Sequence, residues 1–208
     1  MPWPPVTIVL PVLDEAAHIE VTMGDLLAQD YPGDLDIVVA DGGSTDGTRE
    51  YLADLALRDA RVTMIDNPLR RQAYGLNAAA EVARGEILVR ADGHSRYAPD
   101  YVRRSVEGVM ELDGAIGGRM NPVGYDTFSS AVAAAMNSPL TMGPARFHHA
   151  KEREEVDTVY LGAFRRADFM DVSGIRSFPS GSSEDADFYY RWRLSGRRVY
   201  VDPAIHST

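Results

Sequence analysis

Four short apolar runs punctuate the first half of the chain: Val6-Thr7-Ile8-Val9-Leu10, Asp36-Ile37-Val38-Val39-Ala40, Val62-Thr63-Met64-Ile65 and Glu86 to Ala91. They are rich in β-branched residues and too short for helices, so they read as buried strands. The segments between them carry apolar residues at helical spacing. One helix is expected from Leu13-Asp14-Glu15 to about Gln29, with Ile19, Met23, Leu26 and Leu27 inward. A second carries Tyr51, Leu52, Leu55 and Ala56, and a third, alanine-rich, runs from Gln72 to Arg84 and is closed by Gly85. Strand and helix alternating at this pace specify an α/β domain with a mainly parallel sheet flanked by helices. Ligands of such sheets bind beyond the carboxyl ends of the strands. Asp14, Asp41 and Asp92 each stand just past such an end, so they can converge on one crevice.

After His94 the alternation loosens. A helix is expected over Pro99 to Leu112, a short strand over Ala115 to Gly118, and a small-residue helix over Phe128 to Met136. The segment from Asn137 to about Glu155 reads as irregular, and a loop that long in a compact domain is usually functional or disordered. Thr158 to Phe164 is a strand, Arg166 to Val172 and Glu184 to Ser195 are helices, and Arg197 to Val201 is the last strand. At 208 residues, with no repeat or linker, residues 1–208 form a single domain.

Composition removes whole classes of chemistry. The formal charge of −10 argues against a nucleic-acid partner, while leaving anionic ligands to local arginines, backbone amides or a metal. With no cysteine there are no disulfides, thiolate metal sites or cysteine nucleophiles. The sole lysine, Lys151, sits in a charged run with Glu152, Arg153, Glu154 and Glu155 that reads as solvated. The start, Met1-Pro2-Trp3-Pro4-Pro5, has no basic region and no long apolar stretch behind it, and no segment can span a bilayer. A cytoplasmic site of action is expected, with peripheral attachment to a membrane face left open.

In Asp92-Gly93-His94, a carboxylate and an imidazole two residues apart at a strand end would project together and offer a half-site for a divalent metal. The plain alternative is a polar turn bent at Gly93. In Asp41-Gly42-Gly43-Ser44-Thr45-Asp46-Gly47-Thr48, Asp41 can accept hydrogen bonds from a base or a sugar, and the rest reads as a capped turn. Ser182-Ser183-Glu184-Asp185-Ala186-Asp187 opens a helix in the manner of a capped N-terminus, although a carboxylate there that faces the crevice can act as a general base. Arg70 and Arg71 are either solvated or poised on phosphate. His148-His149 reads as a solvent-facing pair, whereas His206, just beyond the last strand, is better placed as a third metal ligand.

The ordered set of these pieces resembles family 2 glycosyltransferases of the inverting GT-A type. The resemblance is carried by Val9 to Glu15, Val39 to Thr48, Asn77, Ala83-Arg84-Gly85-Glu86, Asp92-Gly93-His94 and Glu184-Asp185. Arg90 to Tyr97 and Val156 to Arg165 carry a nearer likeness to bacterial exopolysaccharide enzymes of the succinoglycan ExoA type. The resemblance implies that Pro11, Glu15, Asp41 and Arg71 line a nucleotide pocket together with Asp92, with Asp41 on the base. It places Asp92 and His94 at the family's Asp-x-Asp metal element, with His206 as a further ligand, and Asp185 at the catalytic base. A divalent metal, Mn2+ or Mg2+, is implied, and an imidazole at position 94 shifts the preference towards manganese.

The resemblance also implies a donor-binding half over 1–97 and an acceptor and catalytic half over 98–208. The implied donor is a nucleotide diphosphate sugar, a UDP-sugar first, and the implied acceptor is a sugar or lipid-linked hydroxyl. The processive Gln-x-x-Arg-Trp signature is not reproduced: Arg191-Trp192 is present, but Phe188 stands where glutamine belongs, so one sugar per acceptor is expected. Two other readings compete with this one. A sugar-nucleotide-binding domain, inactive or truncated at its C-terminus, would bind donor without turnover. A sugar nucleotidyltransferase would need a glycine- and base-rich loop that Val6 to Glu15 does not supply.

Overall fold

The computed structural model describes residues 2–120, 150–179 and 183–208. The elements, in chain order, are β1 (Val6–Val12), α1 (Ile19–Leu27), β2 (Leu35–Asp41), α2 (Thr48–Arg58), β3 (Val62–Asp66), α3 (Gln72–Val82) and β4 (Ile87–Arg90). There follow α4 (Tyr101–Leu112), β5 (Ala115–Met120), β6 (Glu154–Glu155), β7 (Tyr160–Arg165), α5 (Arg166–Asp171), α6 (Glu184–Leu194) and β8 (Val199–Ser207). Among the described residues the strands form one sheet in the order β3-β2-β1-β4-β7-β5-β8-β6. β3, β2, β1 and β4 run parallel, β7 is antiparallel to both of its neighbours, β8 is parallel to β5, and β6 is antiparallel to β8. The α/β reading therefore holds, with the parallel half confined to the first four strands.

The alternation of side chains along the strands builds two cores. Val6, Ile8, Leu10 and Val12 of β1, with Ile37, Val39, Ile87 and Val89, face Met23 and Leu26 of α1, Leu52 of α2 and Val102 and Val106 of α4. The intervening residues Val9, Val38, Ala40 and Leu88 face α3, Phe169 of α5 and Phe188, Tyr189 and Trp192 of α6. Phe164 and Phe169 stack at 5.1 Å, and Phe188 leans on both. Each of these fully buried side chains contributes about 1.5–3 kcal/mol relative to exposure. Gly85 does not cap α3, which ends on Ala83; its role is close approach, since a Cβ there would lie 2.3 Å from the Thr7 amide nitrogen.

Three differences from the sequence reading bear on the site. α1 begins at Ile19 rather than near Leu13, because the preceding backbone amides are taken up by the β2–α2 loop. Asp14 N–H donates to Ser44 Oγ, Glu15 N–H to Thr48 Oγ1 and Ala16 N–H to an Asp46 carboxylate oxygen, with Asp14 itself at φ 55°. Secondly, the last strand does not stop at Val201. The pairing with β5 shifts register after Val201 and resumes at Arg119 and His206, so His206 lies within β8. Thirdly, Ser183 makes no side-chain cap on α6 and has φ 66°. The expected helix over Phe128 to Met136, the His148-His149 pair and most of the segment from Asn137 to Glu155 lie outside the described residues. Among the described residues no helix is long and apolar enough to cross a membrane.

Candidate active site

A cleft of about 220 Å³ opens at the carboxyl ends of the parallel strands. Pro11, Glu15, Arg71, Asp92 and His94 all line it, joined by Asn67, Arg70 and Gln72 from the approach to α3. Asp41, Asp185 and His206 are not among the lining residues.

Asp41 ends β2 opposite Val12 and is almost wholly buried. Its carboxylate accepts from Ser44 Oγ at 2.6 Å, from Arg49 Nη1 at 2.6 Å and from the amides of Gly43 and Ser44. Burial works against its charge, but the Ser44 and Arg49 donors outweigh that and hold its pKa below the ordinary carboxylate value. Arg49 also reaches Asp66 at 2.6 Å and so ties the ends of β2 and β3. Sequence reading missed Arg49, whose only signal is its place in the first turn of the helix that follows the glycine-rich loop.

The Asp92-Gly93-His94 turn is held from outside itself. β4 ends at Arg90, so the same-side geometry of a strand does not apply to Asp92 and His94. Instead Thr22 Oγ1 of α1 donates to the carbonyls of Gly93 and Ser95, and Asp92 N–H donates to Tyr97 Oη at 2.6 Å. Arg96 and the Tyr97 amide both bond Asp25, and Arg96 pairs backbone to backbone with Thr208. Gly93 is not at positive φ; its hydrogen is needed because a Cβ would meet Glu15 Cγ at 3.0 Å and Val12 Cγ1 at 3.1 Å. His94 Nδ1 lies 2.9 Å from Glu15 Oε1. That contact fixes the ring through Nδ1 and leaves Nε2 as the nitrogen that can take a ligand.

Asp92 is buried, yet among the described residues its carboxylate has only neutral donors, Gln72 Nε2 at 3.1 Å and Tyr160 Oη at 3.4 Å. Burial, with the Asp185 charge adding to it, raises its pKa despite the opposing charges of Arg90 and His94. Burial and the Asp92 charge likewise push the Tyr160 hydroxyl up to about 12. A buried carboxylate without a bonded cation, beside an imidazole whose other nitrogen is fixed by a carboxylate, suits a divalent metal. His206, held through its backbone carbonyl to the Ala98 amide, is not gathered with them. Among the described residues no three His, Asp or Glu side chains form a ready-made metal cage.

Asp185 stands in the first turn of α6 with its side chain 44% exposed, and its Oδ1 accepts from Arg90 Nη1 at 2.7 Å. Arg90 is 3% exposed and shares the sheet face of Leu88, which α6 covers. Burial opposes the guanidinium charge, but Asp185, Tyr189 and Asp92 around it raise its pKa overall. Arg71 Nη1, at the cleft, donates to the Phe178 carbonyl. Phe188 and Trp192 are fully buried, and Arg191 is spent on Asp187, the Val172 carbonyl and the Gly174 carbonyl.

This eight-stranded mixed sheet, with carboxylates at the ends of its parallel strands, has the GT-A fold of the glycosyltransferases. The family model described as Glycosyl transferase family 2 matches residues 7–172, and the chain belongs to that family. It is 37% identical over 198 residues to the succinoglycan biosynthesis protein ExoA of Rhizobium meliloti, covering 93% of this chain and 59% of that protein. Among solved structures it is similar to the mannosyltransferase PcManGT from Pyrobaculum calidifontis in complex with GDP-Man and Mn2+. That match has 25% identity and a TM-score of 0.72, over 97% of this chain and 55% of that one. The fold is also shared with S. aureus TarS 1-349 in complex with UDP, at 17% identity and a TM-score of 0.68, over 95% of this chain and 57% of that one.

Proposed function

We propose that the chain moves a sugar from a nucleotide diphosphate sugar to a hydroxyl acceptor during polysaccharide synthesis, with inversion at the anomeric carbon. The observation that carries this is the pair of carboxylates, Asp92 and Asp185, set beside one buried arginine at the carboxyl end of the parallel strands. The likeness to ExoA supports a polysaccharide product, and the GDP-Man and UDP bound by the solved relatives support a nucleotide diphosphate donor. A UDP-sugar and a sugar or lipid-linked acceptor, met at a membrane face, remain the first choice.

In this reading residues 1–97 supply the donor half. Pro11 and Glu15 wall the cleft, Asp41 stands at the base end and Arg71 faces the phosphates. Asp92 and His94 would hold a divalent ion, manganese in preference to magnesium, which as a Lewis acid stabilises charge on the departing diphosphate. Among the described residues no group of three such side chains gathers His206 with Asp92 and His94, so the metal role is proposed for these two.

Residues 98–208 supply Asp185, which takes the proton of the acceptor hydroxyl as its oxygen attacks in line on the face opposite the diphosphate. Transfer of one sugar at a time is supported by Phe188, which stands where the processive Gln-x-x-Arg-Trp signature has its glutamine.

Asp185→Asn is expected to lower turnover by about 10³-fold, within the range of a general base, while donor binding persists. Turnover can be read as UDP or GDP release from UDP-glucose, UDP-galactose or GDP-mannose, and binding as a thermal shift. Near-normal turnover in that variant would remove Asp185 from the chemistry. Donor binding by the unmodified chain without any release would favour a binding domain.

A further inference from the structure

Arg90 is buried in the sheet with little visible return in stability. Its Nη1 donates to Asp185 Oδ1 at 2.7 Å, while its Nε, fully enclosed, has no hydrogen-bond partner among the described residues. The hydroxyl of Tyr189, one turn along α6 from Asp185, is buried and equally without a partner. Tyr189 belongs to the apolar cluster of Leu88, Phe164, Phe188 and Trp192 beneath α6, and holding a guanidinium beside it costs the water stripped from the cation. A guanidinium kept there for one bond to a half-exposed carboxylate points to a task for that bond.

Resting on the assignment of Asp185 as the base, we propose that Arg90 is its positioning residue, clamping Oδ1 so that Oδ2 is the atom offered to the acceptor hydroxyl. Oδ2 has no hydrogen bond among the described residues, so it is free to receive a proton. Without the clamp an exposed aspartate on the first turn of a helix samples several rotamers. Arg90 is itself held in place: its carbonyl accepts from Tyr101 Oη at 2.7 Å, and its strand pairs with β1 at Val9.

In the transfer, the acceptor proton passes to Asp185 Oδ2 as the acceptor oxygen bonds to the anomeric carbon. The bond from that carbon to the diphosphate oxygen breaks, and its electron pair leaves with the nucleoside diphosphate. Arg90 stays charged throughout and exchanges no proton, so its contribution is geometry and a fixed counter-charge.

The test compares Arg90→Met, Arg90→Lys, Asp185→Asn and the double variant Arg90→Met/Asp185→Asn, with UDP-glucose, UDP-galactose and GDP-mannose as donors. Arg90→Met is expected to lower kcat by about 10²-fold with donor KM unchanged, the scale of a misplaced catalytic group. Arg90→Lys keeps a buried cation and should restore part of kcat, and the double variant should be no slower than Asp185→Asn alone.

The proposal is overturned if Arg90→Met and Arg90→Lys both turn over within about twofold of the unmodified protein while Asp185→Asn is inactive. It is overturned equally if either variant raises donor KM and leaves kcat alone, which would assign Arg90 to the donor. Should Arg90→Met fail to fold, the kcat and KM of Arg90→Lys decide. Full turnover by Asp185→Asn would instead refute the base assignment, a separate and recognisable failure.

Discussion

Asp41 ends and Asp92 follows one of the two strands that flank β1, and the fold treats them in opposite ways. Asp41 is surrounded by donors, including a guanidinium at 2.6 Å, and its pKa lies below the ordinary value. Asp92, almost as buried, has two neutral donors at 3.1 and 3.4 Å and a raised pKa. A buried charge with a full complement of charged and backbone donors belongs to the scaffold of its site. A buried charge left with weak neutral donors costs stability and is ready for a cation to bind. The Asp41 end of the site is therefore preorganised, whereas Asp92 at the cleft is held under electrostatic strain that a bound cation would relieve.

The sharpest way to break this contrast is Asp41→Ala. It leaves Ser44 without its acceptor and halves the anchoring of Arg49, and it should cost ~3 kcal/mol of stability in urea unfolding, the scale of a disrupted buried pair. Thermal shift by UDP or GDP should vanish in the same variant, and an unchanged shift would move the base pocket elsewhere.

A smaller effect follows from protons. Because the folded pKa of Asp41 is depressed, its contribution to stability is fully present above the unfolded carboxylate value near 3.8 and is lost as pH falls through the lower folded value. The gap between the unmodified protein and Asp41→Asn, about 2 kcal/mol near neutral pH from lost charge-assisted bonds, should close over that acid window. A gap that persists undiminished below it would show that the charge of Asp41 is not what stabilises the turn.

Asp92→Asn should move stability the other way, raising it by about 1 kcal/mol as the buried charge disappears. The same substitution should abolish any manganese-dependent thermal shift. A loss of stability on the scale of the Asp41 variants would erase the distinction drawn between the two carboxylates.

Much of the site was legible in the chain. Apolar runs ending in acids announced a parallel sheet with carboxylates at its strand ends, and Pro11, Glu15, Arg71, Asp92 and His94 do meet at one cleft. Less legible was where local signals yield to partners distant in sequence. Leu13 to His18 is patterned for helix, but its amides are claimed by Ser44, Thr48 and Asp46 from the neighbouring loop. Ser183 is the residue type that caps a helix, yet α6 begins without its side chain. The last strand reads as ending at Val201, and β8 instead continues to Ser207 through a register shift because β5 continues alongside.

The sequence by itself determined the periodicities, and through them the order of strands and helices, the buried faces and the residues that end each parallel strand. These are local properties, set by spacing along the chain. Only the tertiary structure decided which charges are satisfied. Arg49 closes on Asp41 from a helix, Arg90 reaches Asp185 across 95 positions, and Asp92 is left with neutral donors. Ionisation, orientation and reactivity depend on distances of a few ångströms between groups remote in sequence, and those distances exist only once the sheet has formed.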